Sequence, residues 1–442
     1  MNDSFLRKTD ELSRRRFMNY ASKSLLGVSI IPTMLPLAGY AADKKGQPVV
    51  AVPPPAPGRK PTARNIIYLY MSGGMTHVDT FDPKPKAGEA VSGPVKAINT
   101  KVTDIQISEY LPMIAKQMDK ICLLRGLTTT QGAHEQGNYF MHSSYTPRGT
   151  IQHPGLGAWI QRLEGRTNRT LPGSVCIGGG ANGGGAGFME SKYAPLFIGS
   201  PNDGVPNSKA RVGTKEFDDR LMLANKFDQT FHDKYDVKQV RAYTDMYEDA
   251  VRLMRSEDLK AFNLNLEDQA VREEYGQNGF GQGCLLARRL IENDVRHVEV
   301  TLGGWDTHTN NFAAVQNLTA SLDLGVSALI NDLDRRGMLD ETMIVLTTEF
   351  GRTPYVNEND GRDHFPKAFS GFMAGGGVKG GQVYGATNEH ATDVVEGKMT
   401  PPDVNATIAY GLGLPLDQVI YSPSKRPFTI ADKGAPVTQI FG

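Results

Sequence analysis

The chain has 442 residues, with 48 basic and 48 acidic side chains and therefore no net charge, which argues against a broad surface for binding nucleic acid. Hydrophobic residues make up 39% and charged residues 22%, which is enough to fill a core and excludes disorder throughout. Cys122, Cys176 and Cys284 form no CxxC pair, so we expect neither a disulfide scaffold nor a thiolate zinc cluster.

The N-terminus has the layout of an export signal. Residues 13–18 (SRRRFM) precede an apolar run, and residues 38–41 (AGYA) supply small side chains suited to cleavage. This predicts a twin-arginine signal peptide over residues 1–41, use of the twin-arginine export machinery, and a periplasmic or secreted protein. An uncleaved anchor or a basic amphipathic end is the alternative. No other apolar stretch reaches spanning length, so no stable membrane span is expected in the mature chain.

A Pro-rich linker is predicted over residues 42–64, followed by one domain over residues 65–442. Short apolar runs that end at turn residues predict buried strands. The predicted strands are 65–71, 121–127, 174–177, 297–302 and 343–346. Helices are predicted over 134–144 and over much of 237–295, and apolar residues every three or four positions predict a long helix over 312–333. These elements favour an α/β fold, with a mostly parallel central sheet flanked by helices.

Polar clusters follow the predicted strands, where open parallel sheets bind ligands. The candidate residues, in chain order, are His77, Asp79, Thr130, His134, Asp306, His308, Glu349, Arg352, Asp363 and His364.

Imidazole and carboxylate together are ligands for a divalent metal, with zinc the first expectation and manganese or calcium as alternatives. Asp306 and His308 are two residues apart, so both could face one centre from an extended loop. Asp363 and His364 could serve neighbouring centres, or act as a ligand and its orienting partner. Two metals about 3.5–4 Å apart could clamp a phosphoryl or sulfuryl group, and Arg352 could hold its oxyanion bidentately.

Each residue also has a structural interpretation. His77 could hydrogen-bond its own loop, and Asp79 could form an Asx-turn. An Asp-x-His pair such as 306–308 also occurs in ordinary turns. Thr130, near a predicted helix start, could be a nucleophile at a positive helix end, or its segment could only cap the helix.

Five stretches carry a family resemblance: SGGMTHVDTFDPKP at 72–85, GGWDTH at 303–308, TTEFGRTP at 347–354, GRDHFP at 361–366 and PPDVNATIAYGLGLP at 401–415. With them the chain resembles the twin-arginine-exported bacterial proteins grouped as domain of unknown function 1501, related to alkaline phosphatases and sulfatases. The resemblance implies an alkaline phosphatase-like sheet with metals at its carboxyl edge. It also implies that Asp306 and His308 are ligands, and that His364 is the last histidine ligand.

The chain departs from the superfamily at three points. Residues 72–74 (SGG) stand where an Asp follows the first strand, Glu349-Phe350 replaces an Asp-His pair, and the nucleophile has no clear counterpart apart from Thr130. Two functions therefore remain. One is an exported metal-dependent hydrolase of phosphate or sulfate esters, on small-molecule or glycan substrates. The other is a non-catalytic periplasmic binding or envelope-assembly protein on the same fold.

Overall fold

The computed structural model describes residues 61–179, 184–234 and 238–442. The predicted signal peptide and residues 42–60 of the predicted linker lie outside the described residues. At the end of the linker, the amides of Thr62 and Ala63 donate to the carbonyl of Gly411. The first described strand then begins at Asn65.

An eight-stranded sheet forms the centre of the fold, in the order β12-β4-β11-β8-β1-β7-β5-β6. Its strands are β1 (Asn65–Ser72), β4 (Ile121–Leu127), β5 (Ser174–Ile177), β6 (Leu196–Ile198), β7 (His297–Gly303), β8 (Thr342–Thr347), β11 (Phe369–Ala374) and β12 (Gln382–Tyr384). All neighbouring strands are parallel except at β11, which runs antiparallel to β4 and β8. The predicted α/β fold with a mostly parallel sheet is confirmed.

Eight short strands pair outside this sheet. They are β2 (Ala97–Asn99), β3 (Gln106–Ser108), β9 (Gly351–Arg352), β10 (His364–Phe365), β13 (Ala386–Thr387), β14 (Val394–Glu396), β15 (Ile420–Tyr421) and β16 (Pro427–Phe428). The antiparallel pair of β9 and β10 matters most for the site, because Arg352 lies opposite His364 in its register.

The described residues contain ten α-helices. They are α1 (Glu89–Ser92), α2 (Pro112–Ala115), α3 (His134–Ser143), α4 (Leu156–Glu164), α5 (Thr214–Lys234), α6 (Lys238–Arg255), α7 (Gln269–Glu274), α8 (Gly279–Glu292), α9 (Asn311–Arg335) and α10 (Pro401–Gly411). The helices predicted near 134–144, 237–295 and 312–333 are confirmed.

The core explains why β1 is apolar along its whole length. Its alternate residues Ile66, Tyr68 and Tyr70 join one buried cluster with Trp159 of α4 and Ile408 of α10. Strand alternation sends the intervening residues to the opposite face, and they too are fully buried. A strand covered on both faces reads as a continuous apolar run, which is why its position can be predicted from the sequence.

The long helix α9 packs against α8 and α2. Among the described residues it is the one helix long and apolar enough to cross a membrane by length and composition alone, and 56% of its apolar window is buried within the fold. Its apolar face is therefore used by the protein core.

The contacts divide the chain into two compact units. Pro57–Gly204 and Glu257–Gly442 form the larger one, which contains the whole sheet and all the candidate site residues. The described part of the smaller unit, Val205–Ser256, contains α5 and α6, and a small cluster of its own includes Phe217 and Leu221. This helical pair falls inside the stretch predicted as one domain.

Candidate metal centre

Three neighbouring parallel strands end side by side at the carboxyl edge of the sheet. β1 lies between β8 and β7, so the loops that follow all three leave from one place. Asp306 comes three residues after β7, and Glu349 comes two residues after β8. His134 is the first residue of α3, and His364 lies on the hairpin formed by β9 and β10. The topology therefore gathers residues that are far apart in the sequence.

Asp306 Oδ1 is the point on which the imidazoles converge. It lies 3.2 Å from His134 Nε2, 3.1 Å from His308 Nε2 and 3.2 Å from His364 Nε2. The two atoms His308 Nε2 and His364 Nε2 are 3.1 Å apart. One ligand atom from each of His134, Asp306 and His364 lies within 4.8 Å of the others. The structure thus brings Asp306, His308, His364 and His134 together, whereas Asp79, which was also expected to converge with them, lies elsewhere.

Each of the three rings uses its other nitrogen on an oxygen acceptor. His134 Nδ1 lies 2.7 Å from Glu349 Oε1, His308 Nδ1 lies 2.6 Å from Asp363 Oδ1, and His364 Nδ1 lies 2.9 Å from the Gly132 carbonyl. A carbonyl or a carboxylate accepts, so Nδ1 carries the proton, and in a neutral ring Nε2 then presents its lone pair.

With neutral rings, three nitrogen lone pairs and one carboxylate oxygen consequently face the same small volume. The Arg352 guanidinium faces only the carboxylate, so the nitrogen lone pairs repel one another unless a proton or a metal cation lies among them. His134 Nε2 is also buried without a hydrogen bond. Imidazole nitrogens with one carboxylate oxygen are a donor set that suits zinc, so these residues fit a divalent cation.

Glu349 orients His134. Its carboxylate is fully buried and acts only as a hydrogen-bond acceptor. Oε1 accepts from the Gly73 N–H at 2.8 Å as well as from His134. Oε2 accepts from the hydroxyl of Tyr70 at 3.1 Å and from that of Thr348 at 3.0 Å. Burial acts to raise the pKa of Glu349, but the hydrogen bonds from His134 and the Gly73 amide outweigh it and lower the pKa. The same bond to Glu349 raises the pKa of His134 against the effect of burial.

The prediction that Glu349 and Asp363 are ligands is corrected by this geometry. Both carboxylates lie at the Nδ1 side of a histidine, away from the point where the Nε2 atoms converge. Asp363 is thus the orienting partner of His308, and the adjacent His364 is the ligand candidate. The pKa of Asp363 is lowered, first by its hydrogen bond with His308.

Arg352 is fully buried and holds Asp306 in place. Its Nε donates to the Gly74 carbonyl at 3.0 Å, and its Nη1 donates to the Arg362 carbonyl at 3.1 Å. Its Nη2 donates to the Gly73 carbonyl and also, at 2.5 Å, to Asp306 Oδ1. Partial burial acts to raise the pKa of Asp306, but the Arg352 guanidinium together with the nearby imidazoles holds that pKa well below its usual range. The predicted role of Arg352 as an oxyanion clamp does not match a side chain whose fork is engaged in this way. Its contacts position Asp306 and the turn at 73–74.

His77 and Asp79, predicted as ligands, lie elsewhere. Both side chains are fully buried, since the turn after β1 directs them inward. A ring nitrogen of His77 donates to the Ala391 carbonyl at 3.0 Å. The Asp79 carboxylate forms a salt bridge with the guanidinium of Arg362. The structure therefore does not bring these two predicted ligands to the cluster around Asp306, because each side chain is engaged by another partner.

Thr130 is exposed, and its hydroxyl accepts from Gln131 Nε2 at 3.1 Å. The residue at the N-cap of α3 is Ala133, so Thr130 does not cap the helix. Its role as a nucleophile stays a prediction.

The sequence analysis missed two contributors. The Gly132 carbonyl, which accepts from His364, left no sequence signal, because any residue has a carbonyl. Tyr70, which donates to Glu349, lies inside an apolar strand and could not be distinguished there from a core residue.

Comparison with solved structures finds similar chains at low identity. The lipoteichoic acid synthase LtaP from Listeria monocytogenes is 8% identical, with 80% of this chain and 73% of that chain covered and a TM-score of 0.40. The PsFucS1 sulfatase from Pseudoalteromonas sp. is 14% identical, with 84% and 76% covered and a TM-score of 0.40. The C-terminal periplasmic domain of EcEptC from Escherichia coli, in complex with zinc, is 10% identical, with 87% and 96% covered and a TM-score of 0.37.

No curated protein matches the sequence. A family model does, over residues 63–441, which is most of the chain and includes the whole metal centre. The chain therefore belongs to the family described as "Protein of unknown function (DUF1501)".

Proposed function

We propose that this protein is an exported metal-dependent hydrolase of phosphate or sulfate esters, acting on small-molecule or glycan substrates. The observation that carries the proposal is the convergence of three imidazole Nε2 atoms on Asp306 Oδ1, each ring having its proton fixed on Nδ1 by an oxygen. This is the arrangement by which proteins prepare histidines to bind a metal.

The metal would be held by His134, His308, His364 and Asp306, with zinc favoured by the donor set. Within the described parts of the chain, one group of three or more candidate ligand residues, His134, Asp306 and His364, has its ligand atoms within 4.8 Å of one another, and His308 adjoins it through Asp306 and His364. This supports one metal in place of the two considered from the sequence. A bound divalent cation would supply Lewis-acid polarisation of the ester and a water of lowered pKa.

The charges of the surrounding residues fit that cation. With neutral imidazoles, the carboxylates of Asp306, Glu349 and Asp363 exceed the Arg352 guanidinium by two charges, which a divalent cation would balance. Arg352 keeps Asp306 ionised at neutral pH by lowering its pKa. The side chains of Asp306, His308 and Asp363 are 49%, 43% and 54% exposed, so one side of the centre is open to an incoming ester.

The test begins with the full chain expressed with its N-terminal segment. We expect about one zinc per chain by mass spectrometry of the purified protein, and hydrolysis of aryl phosphates or sulfates that is lost on chelation. His308→Ala and His364→Ala should abolish both, while His390→Ala, at an exposed histidine stacked on Tyr355 away from the cluster, should change neither. Absence of metal from the wild-type protein would overturn the proposal.

Export is tested separately. Replacement of Arg14, Arg15 and Arg16 by lysine should leave the protein in the cytoplasmic fraction, since the arginine cluster is the feature that predicts the pathway. Unchanged export of this variant would contradict the predicted route.

A non-catalytic metal-binding protein is the second candidate. The observation in its favour is that the guanidinium of Arg352 already donates to three backbone carbonyls and to Asp306. It therefore presents no free pair of N–H donors to an oxyanion. Stoichiometric zinc without turnover of either ester class would select this function over hydrolysis.

A further inference from the structure

A second charged pair lies beneath the centre, in the protein interior. Asp79 and Arg362 are both fully buried. Arg362 Nε donates to Asp79 Oδ2 at 2.8 Å and Nη2 donates to Asp79 Oδ1 at 2.8 Å, which makes a bidentate pair. Thr76 adds a hydroxyl donor to Oδ2 at 3.0 Å. The carboxylate is thus fixed in position and orientation.

The Asp79–Arg362 pair is connected both to the segment that carries Asp306 and His308 and to the segment that carries His364. On one side, Arg362 directly precedes Asp363 and His364 in the chain. On the other side, Asn311 Nδ2 donates to Asp79 Oδ2 at 2.8 Å, and Asn311 Oδ1 accepts the hydroxyl of Thr307 at 2.6 Å.

Thr307 lies between Asp306 and His308, and Arg362 lies two residues before His364, so hydrogen bonds through Asp79 and Asn311 connect the two segments. The two segments also touch directly. The amide of Arg362 donates to the Thr307 carbonyl at 3.0 Å. A Cβ on Gly361 would lie 1.8 Å from the His308 carbonyl oxygen, so the backbones are in close contact there. Their separation therefore depends both on this backbone contact and on the hydrogen bonds that connect Arg362 to Asn311 through Asp79.

We propose that Asp79 is a positioning residue that sets the distance between the Asp306–His308 segment and the His364 segment, and thereby the metal affinity of the centre. The inference rests on the proposed metal site. His364 Nε2 must stay close to Asp306 Oδ1 and His308 Nε2, at separations of 3.2 and 3.1 Å in the structure. A shift of about 0.5 Å is enough to spoil a metal site.

The test measures zinc affinity and folding stability in parallel. Asp79→Asn places an amide N–H₂ against one arm of the Arg362 fork, so the pair loses its charge balance and one hydrogen bond. We expect zinc to bind about 10–100-fold more weakly, the range for loss of a supporting partner. Cobalt substituted for zinc should show an altered visible spectrum, which reports the geometry of the ligands independently of any activity.

A second variant covers the case in which Asp79→Asn fails to fold. Asp79→Leu with Arg362→Met replaces both charged side chains with apolar ones, so no buried charge is left unpaired, and such replacements are tolerated far better than single ones. The double variant should fold and still bind zinc more weakly than the wild-type protein.

Asp332 provides the matched control. It is a buried carboxylate paired with a buried guanidinium, Arg288, at 2.9 Å, but it lies about 30 Å along α9 from Asn311. Asp332→Asn should lower stability without changing zinc affinity or the cobalt spectrum.

The outcomes separate the two proposals. If the wild-type protein binds no zinc, the proposed function fails and this inference fails with it. If the wild-type protein binds zinc and the folded Asp79 variants bind it equally well, the proposed function stands and the positioning role is overturned. An equal loss of affinity in Asp332→Asn would also overturn it, because the effect would then follow stability alone.

Discussion

Replacement of Glu349 by glutamine tests how the metal centre is supported, because it changes the charge of one buried side chain and almost nothing of its shape. The carboxylate accepts from the His134 ring, the Gly73 amide and the hydroxyls of Tyr70 and Thr348. A glutamine can keep its oxygen toward His134 and Gly73, since the two hydroxyls can rotate to accept from its amide group. The charge-assisted bond that fixes the His134 ring is lost.

The expected effect is on metal binding first. Loss of a carboxylate partner behind a ligating histidine weakens metal affinity by about 10–100-fold, which corresponds to about 1.4–2.8 kcal/mol. The metal-free protein should change less, by about 1 kcal/mol, because removal of a buried charge relieves part of its desolvation cost while one hydrogen bond weakens.

The assay is isothermal titration of the chelator-stripped protein with zinc, together with urea unfolding of the same metal-free samples. Glu299→Gln is the matched control, because Glu299 is also a buried glutamate beside a histidine, with His142 Nε2 at 3.4 Å, but it contacts no candidate ligand. An affinity in Glu349→Gln equal to that of the wild type, or a fall in stability that matches the fall in affinity, would refute the assignment of Glu349 as the orienting partner of His134.

Three further predictions follow from single contacts. Asp363→Asn should weaken zinc binding only a few-fold in the same titration, less than Glu349→Gln, because the Asp363 side chain is 54% exposed and water screens it. His297 is buried, which lowers its pKa to about 4, so the unfolded chain alone gains its proton below about pH 6.5. Urea unfolding should therefore show about 3 kcal/mol less stability at pH 4 than at pH 6.5 from this residue, a loss that His297→Gln removes. Gly73→Ala should lower both zinc affinity and melting temperature, since the new Cβ would lie 2.6 Å from the Asp306 amide nitrogen. Gly88→Ala is the control, because Gly88 also has a positive φ but a Cβ there would have no atom within 4 Å; it should lower only the melting temperature.

The strands of the central sheet could be predicted because burial on both faces leaves a plain signal. The strands at 121–127 and 174–177 have the predicted bounds, since each is an apolar run that ends at turn residues. The antiparallel strand β11 was not predicted. Its sequence, FSGFMA, has no clear pattern, and its place between β4 and β8 is set by pairing with segments distant in the chain.

The same reasoning located most of the centre but not the roles within it. Asp306 and His308 were identified because they follow a strand end, and the sheet topology brings such loops together, whereas His364 was identified through the GRDHFP stretch and the family resemblance. Asp79 satisfies the same rule, yet its partner Arg362 is 283 positions away, and only the three-dimensional structure shows that the pair turns inward. The position of a residue after a strand predicts that it lies at the carboxyl edge of the sheet. It does not predict whether the side chain at that edge points toward solvent or into the protein.

The separation of ligands from orienting groups depends on which nitrogen of each ring faces which oxygen. Glu349 and Asp363 have the residue type of ligands, and the sequence offers no means of telling a carboxylate at Nδ1 from one at the metal. The distances of 2.7 and 2.6 Å to the Nδ1 atoms of His134 and His308 favour an orienting role for the two carboxylates. The residue types in the sequence predict that such a centre suits a metal. The role of each residue within it can be proposed only from the distances between side-chain atoms.

The centre has a rigid side and an open side, and this asymmetry gives a direction of approach. Glu349 and Arg352 are fully buried and are bonded to the turn at 73–74 that follows β1, so His134 and Asp306 are held by the central sheet. His308 is held by Asp363, and these two side chains are 43% and 54% exposed. An ester that enters from solvent would therefore meet the His308 side first, while the sheet side keeps the ligands in place. On the open side, substitution of the ligand candidate His308 should therefore abolish metal binding, whereas substitution of its exposed partner Asp363 should weaken metal binding only a few-fold.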